Sequence, residues 1–275
     1  MRLSRRSLIG TAAAALAAPV PALPANEGAG VGFKLGVASY SLREFNRALA
    51  LKMVKQCGTK YVNFKEFHLL YRSTPEEIKK ARADVAKAGL EILGGGTIGL
   101  QKADDADIKF HFEYAKAAGM PLMVVAPTAE TVPMIEKFAR DYNIKVAIHN
   151  HGPEDKHFPT PQSVLKLVKN MHPNMGLCID IGHTSRTGVD VVESIAEAGS
   201  RLLDMHVKDL KDPMAKESQC IVGEGKLPIV GVFKQLRKMN YTGGVMLEYE
   251  IDADNPLPGM QRSFAYMRGV LAGMA

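Results

Sequence analysis

Four apolar runs in this 275-residue chain end on groups able to bind a metal ion or move a proton. They are Ile144–His151 (I-K-V-A-I-H-N-H), Gly176–His183 (G-L-C-I-D-I-G-H), Leu202–Lys208 (L-L-D-M-H-V-K) and Gly244–Glu250 (G-V-M-L-E-Y-E). Runs of about 5 to 7 apolar and β-branched residues read as buried parallel strands, and their ends fall where strand-to-helix loops converge. Side chains alternate along a strand, so His149 shares a face with His151, His206 with Lys208, and Glu248 with Glu250. Asp180 closes its run, with His183 three residues on, and another strand offers Asn63 and Lys65 on one face with Glu66 and His68 behind them. A lone strand histidine is commonly a hydrogen-bonded core residue, and a lone acidic residue at a strand end is often a helix cap. The ensemble points elsewhere: carboxylates and imidazoles ending consecutive strands are costly to bury without a shared cation or dense pairing. Mixed nitrogen and oxygen donors without thiolate suit Mn²⁺, Zn²⁺, Co²⁺ or Fe²⁺ better than Ca²⁺, and one divalent ion, Mn²⁺ first, is the expected cofactor.

Positioning such groups at one place requires a repeating scaffold. From Phe33 onward apolar runs alternate with helical periods. The strand candidates are Lys34–Ser39, Tyr61–Lys65, Glu91–Gly94, Leu122–Ala126, Lys145–His149, Gly176–Ile181, Leu202–Val207 and Gly244–Tyr249. The helix candidates are Asn46–Gln56, Pro75–Ala88, Asp107–Ala118, Thr131–Tyr142, Pro161–Met171, Val189–Glu197, Ile229–Met239 and Met260–Ala272. Strict alternation implies a parallel sheet with right-handed crossovers, and eight units close into a (β/α)8 TIM barrel with catalytic groups at the C-terminal strand ends. Thr74-Pro75-Glu76-Glu77 is a capping box with proline at the first helical position, and Thr160-Pro161 repeats the device. An open dinucleotide-binding sheet is disfavoured, because no G-x-G-x-x-G follows the first strand and Gly94-Gly95-Gly96 lacks the spacing.

The ends and the composition narrow the class further. Residues 1–25 read as a twin-arginine export signal: Arg5-Arg6, an apolar stretch from Leu8 to Ala18, and small-residue cleavage sites at Val20-Pro21-Ala22 or Leu23-Pro24-Ala25. That apolar stretch is too short for a stable membrane anchor, so a periplasmic address is expected, with residues 26–32 leading into a barrel over 33–275. Removing the signal takes away Arg2, Arg5 and Arg6 and lowers the formal charge from +6 to +3, a surplus too small to argue for nucleic acid. Cys57, Cys178 and Cys220 form an odd set without C-x-x-C spacing, which indicates neither a disulfide framework nor a zinc knot, and Cys178 reads as core packing. Met260, Phe264, Met267, Val270 and Leu271 form an apolar stripe read mainly as core, with a homodimer as the other expectation.

At these residues the chain resembles the xylose isomerase-like barrel superfamily, which includes sugar phosphate isomerases/epimerases, inosose dehydratases and apurinic endonucleases. The resemblance rests on Asp180-Ile181-Gly182-His183, His206-Val207-Lys208-Asp209, Gly223-Glu224-Gly225 and Glu248, and it covers Phe33 to the C-terminus. It implies that Asp180, His206 and Glu248 are metal ligands, with His149 standing where family members usually carry a glutamate. That departure argues against a simple ketose epimerase. His151, Lys208, Lys65 and His183 are then the candidate catalytic groups, and His68, Asn150, Glu224 and Glu250 the candidate substrate-binding groups.

The implied chemistry is removal of a proton next to a carbonyl of a non-phosphorylated sugar or keto-sugar. Expulsion of a neighbouring oxygen substituent would make the enzyme a lyase or hydratase on 3-keto glycosides; return of the proton elsewhere would make it an aldose–ketose isomerase or 3-epimerase. A non-catalytic sugar-binding barrel is the reading from another class. An apurinic nuclease is disfavoured, because Gln219-Cys220-Ile221 supplies no Asp-x-His pair for further metals.

Overall fold

The computed structural model describes residues 32–274, so the expected export signal lies outside the described residues. Eight parallel strands close into one barrel: β1 (Lys34–Ala38), β2 (Tyr61–Phe64), β3 (Glu91–Leu100), β4 (Leu122–Pro127), β5 (Lys145–His149), β6 (Met175–Asp180), β7 (Leu202–Val207) and β8 (Gly244–Leu247). Each strand pairs with its sequence neighbour, and β1 pairs with β8 to close the ring. The helices are α1 (Arg47–Gln56), α2 (Pro75–Lys87), α3 (Asp105–Ala118), α4 (Val132–Asp141), α5 (Pro161–Val168), α6 (Ile181–Arg186), α7 (Val191–Ala198), α8 (Ile229–Lys238) and α9 (Leu257–Ala272). None of the described helices is long and apolar enough to cross a membrane.

The helix starts follow the local chemistry. Thr74 Oγ1 accepts from Glu77 N while Glu77 Oε2 accepts from Thr74 N, and Ser163 N donates to Thr160 Oγ1 at the head of α5. Along α9, Met260, Phe264, Met267 and Leu271 are buried in the core and Val270 packs against it, which matches the core reading of that stripe.

The departures from the sequence expectation that bear most on the architecture are three. Strand β3 continues to Leu100 instead of ending at Gly94, because side-chain-poor Gly94, Gly95 and Gly96 remain in the strand, where the pairing register shifts between Gly95 and Ile98. Helix α6 begins directly at the end of β6, since Asp180 Oδ1 accepts from His183 N at 2.8 Å and caps it. A short antiparallel ribbon, Asp209–Leu210 with Gln219–Cys220, follows β7. Asp209 shapes the loop beyond it: its carboxylate accepts from the amides of Leu210, Gly223, Gly225 and Leu227 at 2.9 to 3.1 Å. A Cβ on Gly225 would lie 2.1 Å from Asp209 Oδ1, so only glycine lets the loop close on that carboxylate.

Barrel register brings distant residues together. Asp180 pairs directly with His206, and His149 with Cys178 two residues before Asp180 on the same face. The C-terminal mouth therefore collects the inward side chains of β5, β6, β7 and β8.

Candidate metal centre and active site

His149, Asp180, His206 and Glu248 are all buried at this mouth, each presenting a donor atom within 4.8 Å of the other three. His149 Nε2 lies 3.1 Å from His206 Nδ1 and 3.8 Å from Asp180 Oδ2, and His206 Nδ1 lies 3.3 Å from Glu248 Oε2. Two nitrogens and two carboxylates come from four adjacent strands.

This set fits a divalent transition ion. Asp180 Oδ2 and His149 Nδ1 are buried without a hydrogen bond among the described residues; Oδ2 is in ion-pair contact with Lys208, which leaves it lone pairs for an inner-sphere cation. Burial, reinforced by His206, holds His149 well below the usual imidazole value, so it is neutral with a lone pair to give. His149, not His151, stands in the cluster. Cys178 lies close enough to His149 and His206 to form a second donor group, which its core reading did not foresee, but burial pushes its thiol up to about 12.

Lys208 holds the negative charge together. Its Nζ is 3.0 Å from Asp180 Oδ2, 3.0 Å from Glu248 Oε2 and in contact with Glu250. Burial opposes its charge, but Asp180, Glu248 and Glu250 override this and keep the ammonium well above its usual value. Burial would likewise raise Glu248, yet His206 and Lys208 hold its carboxyl well below the usual range. The lysine stem crosses Gly182, where a Cβ would meet it at 2.7 Å. Gln219 braces the strand end, donating to Glu248 O at 2.7 Å and accepting from Glu250 N at 2.9 Å.

Around this centre stand two more imidazoles. The His151 ring is exposed, with its centroid 5.0 Å from that of His149 and 4.7 Å from that of His183. Lys65 is half-buried over the Tyr40 ring; burial lowers its ammonium while Glu248, Glu66 and Glu250 pull it back up.

The remaining candidates sit differently. His68 is buried in a loop brace, with Nδ1 2.9 Å from Ser39 Oγ and Nε2 against the carbonyls of Leu42 and Phe45, so neither ring nitrogen is offered to a substrate. Asn150 is likewise committed to the scaffold: Nδ2 donates to Thr184 Oγ1 and Oδ1 accepts from Asp180 N. Glu224 is exposed and paired with Arg262, whereas Glu250 reaches the centre through Lys208. Sequence reasoning passed over Asp204, although it precedes His206 by two residues and shares its face. Its carboxylate accepts from Asn63 Nδ2 at 2.6 Å beneath the cluster, and burial pushes it up to about 7. Arg186 and Glu154, which meet behind His183, carried no sequence signal.

These groups make the metal-free protein sensitive to acid. Burial lowers His183 to about 4 from an ordinary 6.5, and Lys208 adds to this against the pull of Asp180. The unfolded chain therefore binds more protons between these values, and stability is complete above 6.5 and falls as pH drops through about 4. Denaturation midpoints of chelated protein should decline across that interval, and H183Q should flatten its upper part. A wild-type midpoint that holds level would contradict the assignment.

A closed parallel barrel with a histidine–carboxylate cluster at its C-terminal mouth defines the class of protein. Residues 51–270 match the family model described as Xylose isomerase-like TIM barrel, and the chain belongs to that family. Inosose dehydratase of Lactiplantibacillus plantarum is 24% identical over 217 residues, covering 62% of this chain and 71% of the relative. Other curated relatives are spanned less fully; the match to an uncharacterized protein of Methanocaldococcus jannaschii covers 41% of its length. Among solved structures, the IOLI protein with a bound zinc atom superposes with TM-score 0.72 at 18% identity, over 88% of this chain and 99% of that one. The apo 3-keto-D-glucoside 4-epimerase YcjR of E. coli gives 0.71 at 16% identity, over 86% and 99%. At such identities these two likenesses speak to the fold.

Proposed function

We propose that this protein is a divalent-metal-dependent carbon–oxygen lyase that removes a proton next to the carbonyl of a non-phosphorylated keto-sugar, with a 3-keto glycoside as the leading substrate. The single observation that carries the reading is the convergence of His149, Asp180, His206 and Glu248 beneath His151, His183 and Lys208. A bound ion, Mn²⁺ or Zn²⁺, would act as a Lewis acid toward substrate oxygens and raise the acidity of the neighbouring C–H. His151, exposed at the rim, takes that proton as general base. Lys208 places a fixed positive charge beside the oxygen that becomes negative, and its three carboxylate partners keep it from drifting. Lys65, the second ammonium at the mouth, orients the sugar against Tyr40. The C1–O bond then breaks as the electron pair left at C2 forms the C1–C2 double bond, and the departing oxygen takes up the proton held by His151 or one from water. The dehydratase among the curated relatives supports this choice over free-sugar isomerisation. Residues 1–25 support a twin-arginine exported, periplasmic enzyme, remote from the cytoplasmic sugar phosphates.

The test is incubation of Mn²⁺-loaded protein with a 3-keto glucoside in deuterated water. Aglycone release is expected together with deuterium exchange at C2 of the recovered substrate, and H151Q should slow both by about 10²- to 10⁴-fold with metal stoichiometry unchanged. Reversible interconversion of free sugars without elimination would favour an isomerase, and tight sugar binding without exchange a non-catalytic barrel.

A further inference from the structure

His183 is held by a partner that dictates its tautomer. Arg186, only 7% exposed, directs Nη1 to His183 Nδ1 at 3.2 Å, while its Nη2 pairs with Glu154 Oε1. A guanidinium has five N–H donors and no acceptor, so the nitrogen it faces must carry a lone pair. The single proton of the neutral ring is then on Nε2. Gly152 lies against this edge: a Cβ there would lie 3.2 Å from Arg186 Nη1 and 3.3 Å from His183 Nδ1. The hydrogen bond of the His183 ring among the described residues is at Nδ1, and the ring packs edge-on against that of His151.

The arrangement is opposite to that of a catalytic base. A histidine base is oriented by a carboxylate or carbonyl that accepts the proton of one ring nitrogen, leaving a lone pair on the other. Here a donor occupies Nδ1, and Glu154 offsets the charge of that donor.

We propose that Arg186, braced by Glu154, is a positioning residue that fixes His183 as a neutral Nε2–H donor for an oxygen acceptor of the substrate, a carbonyl or hydroxyl. This rests on the reading of the mouth as the sugar site and divides the labour within it. His183 grips oxygen and His151 moves the proton.

Long-range ¹H–¹⁵N spectra of the imidazoles in full-length, ¹⁵N-labelled protein test this without any substrate, in chelated and zinc-loaded forms, with the His183 signals assigned by their loss in H183Q. At neutral pH, wild type should show an unprotonated Nδ1 and a protonated Nε2. R186M should move both resonances toward the averaged positions of a freely exchanging ring, and R186K, which keeps a donor, should restore them in part. E154Q should leave the tautomer in place. A wild-type His183 with the proton on Nδ1, or an R186M spectrum identical to wild type, overturns the proposal. Because no sugar enters the measurement, a failed elimination assay with the tautomer intact would sink the proposed reaction and leave this assignment standing.

Discussion

Replacing Asp180 with asparagine is expected to weaken divalent-metal binding by at least about 100-fold and to slow α-proton exchange by about 10³-fold, the loss of several kcal/mol of transition-state charge stabilisation. Asp180 has two separable duties. Oδ1 caps α6 through His183 N, a task an asparagine oxygen also performs, while Oδ2 sits in the donor cluster against the Lys208 ammonium, which keeps Glu248 and Glu250 as partners when Asp180 is changed. D180N should therefore keep the fold and lose the ion. D180A should lose about 1 kcal/mol more, because the cap goes too. Isothermal titration with Mn²⁺ and Zn²⁺, set beside thermal melts, separates these effects. Wild-type metal affinity in D180N would remove the cluster from the mechanism.

Replacing Lys208 with methionine should produce a defect that depends on metal. In the metal-free protein the change leaves Asp180, Glu248 and Glu250 facing one another without their shared ammonium, and breaking a buried pair on one side costs roughly 3–5 kcal/mol. Burial then acts on Asp180 and Glu248 with less opposition, although His206 still pulls both carboxyl groups down. Metal-free K208M should therefore lose less stability than wild type as pH falls, because its folded state has less carboxylate stabilisation to give up. A bound divalent cation supplies the missing charge, so saturating metal should raise the melting temperature of K208M by more than that of wild type. Catalysis should stay impaired even when stability is restored, because the ion does not replace the ammonium beside the developing oxyanion. Equal melting shifts with and without metal would show that Lys208 does not share the charge of the centre.

Much of the barrel was legible because each buried strand is a short apolar run and each amphipathic helix keeps its own period, and both patterns are local. The legible helix starts were similarly local, written in Thr74 and Thr160 and the residues just behind them. β3 was cut short because Gly94, Gly95 and Gly96 carry no side-chain pattern, although the strand runs through them. The extra helix α6 was missed because the cap reading of a strand-end acidic residue was set against the ligand reading, whereas Asp180 caps the next turn while standing in the donor cluster.

The site divides along the same line. Order along the chain and position at the ends of apolar runs placed His149, Asp180, His206 and Glu248 among the candidates, since a strand end in a parallel barrel has a foreseeable place, and the family resemblance narrowed these to a ligand set. Only the folded barrel separated His149 from His151, gave Asn150 and His68 to the scaffold, and placed Lys208 among three carboxylates. It alone set Arg186 behind His183 and Asp204 beneath the cluster. A hydrophobic period reports which way a residue points from its own strand, but the partner it meets depends on register and ring closure. Asn63 and Asp204 meet from 141 residues apart, a proximity that strand pairing around the whole circumference creates and no local pattern encodes.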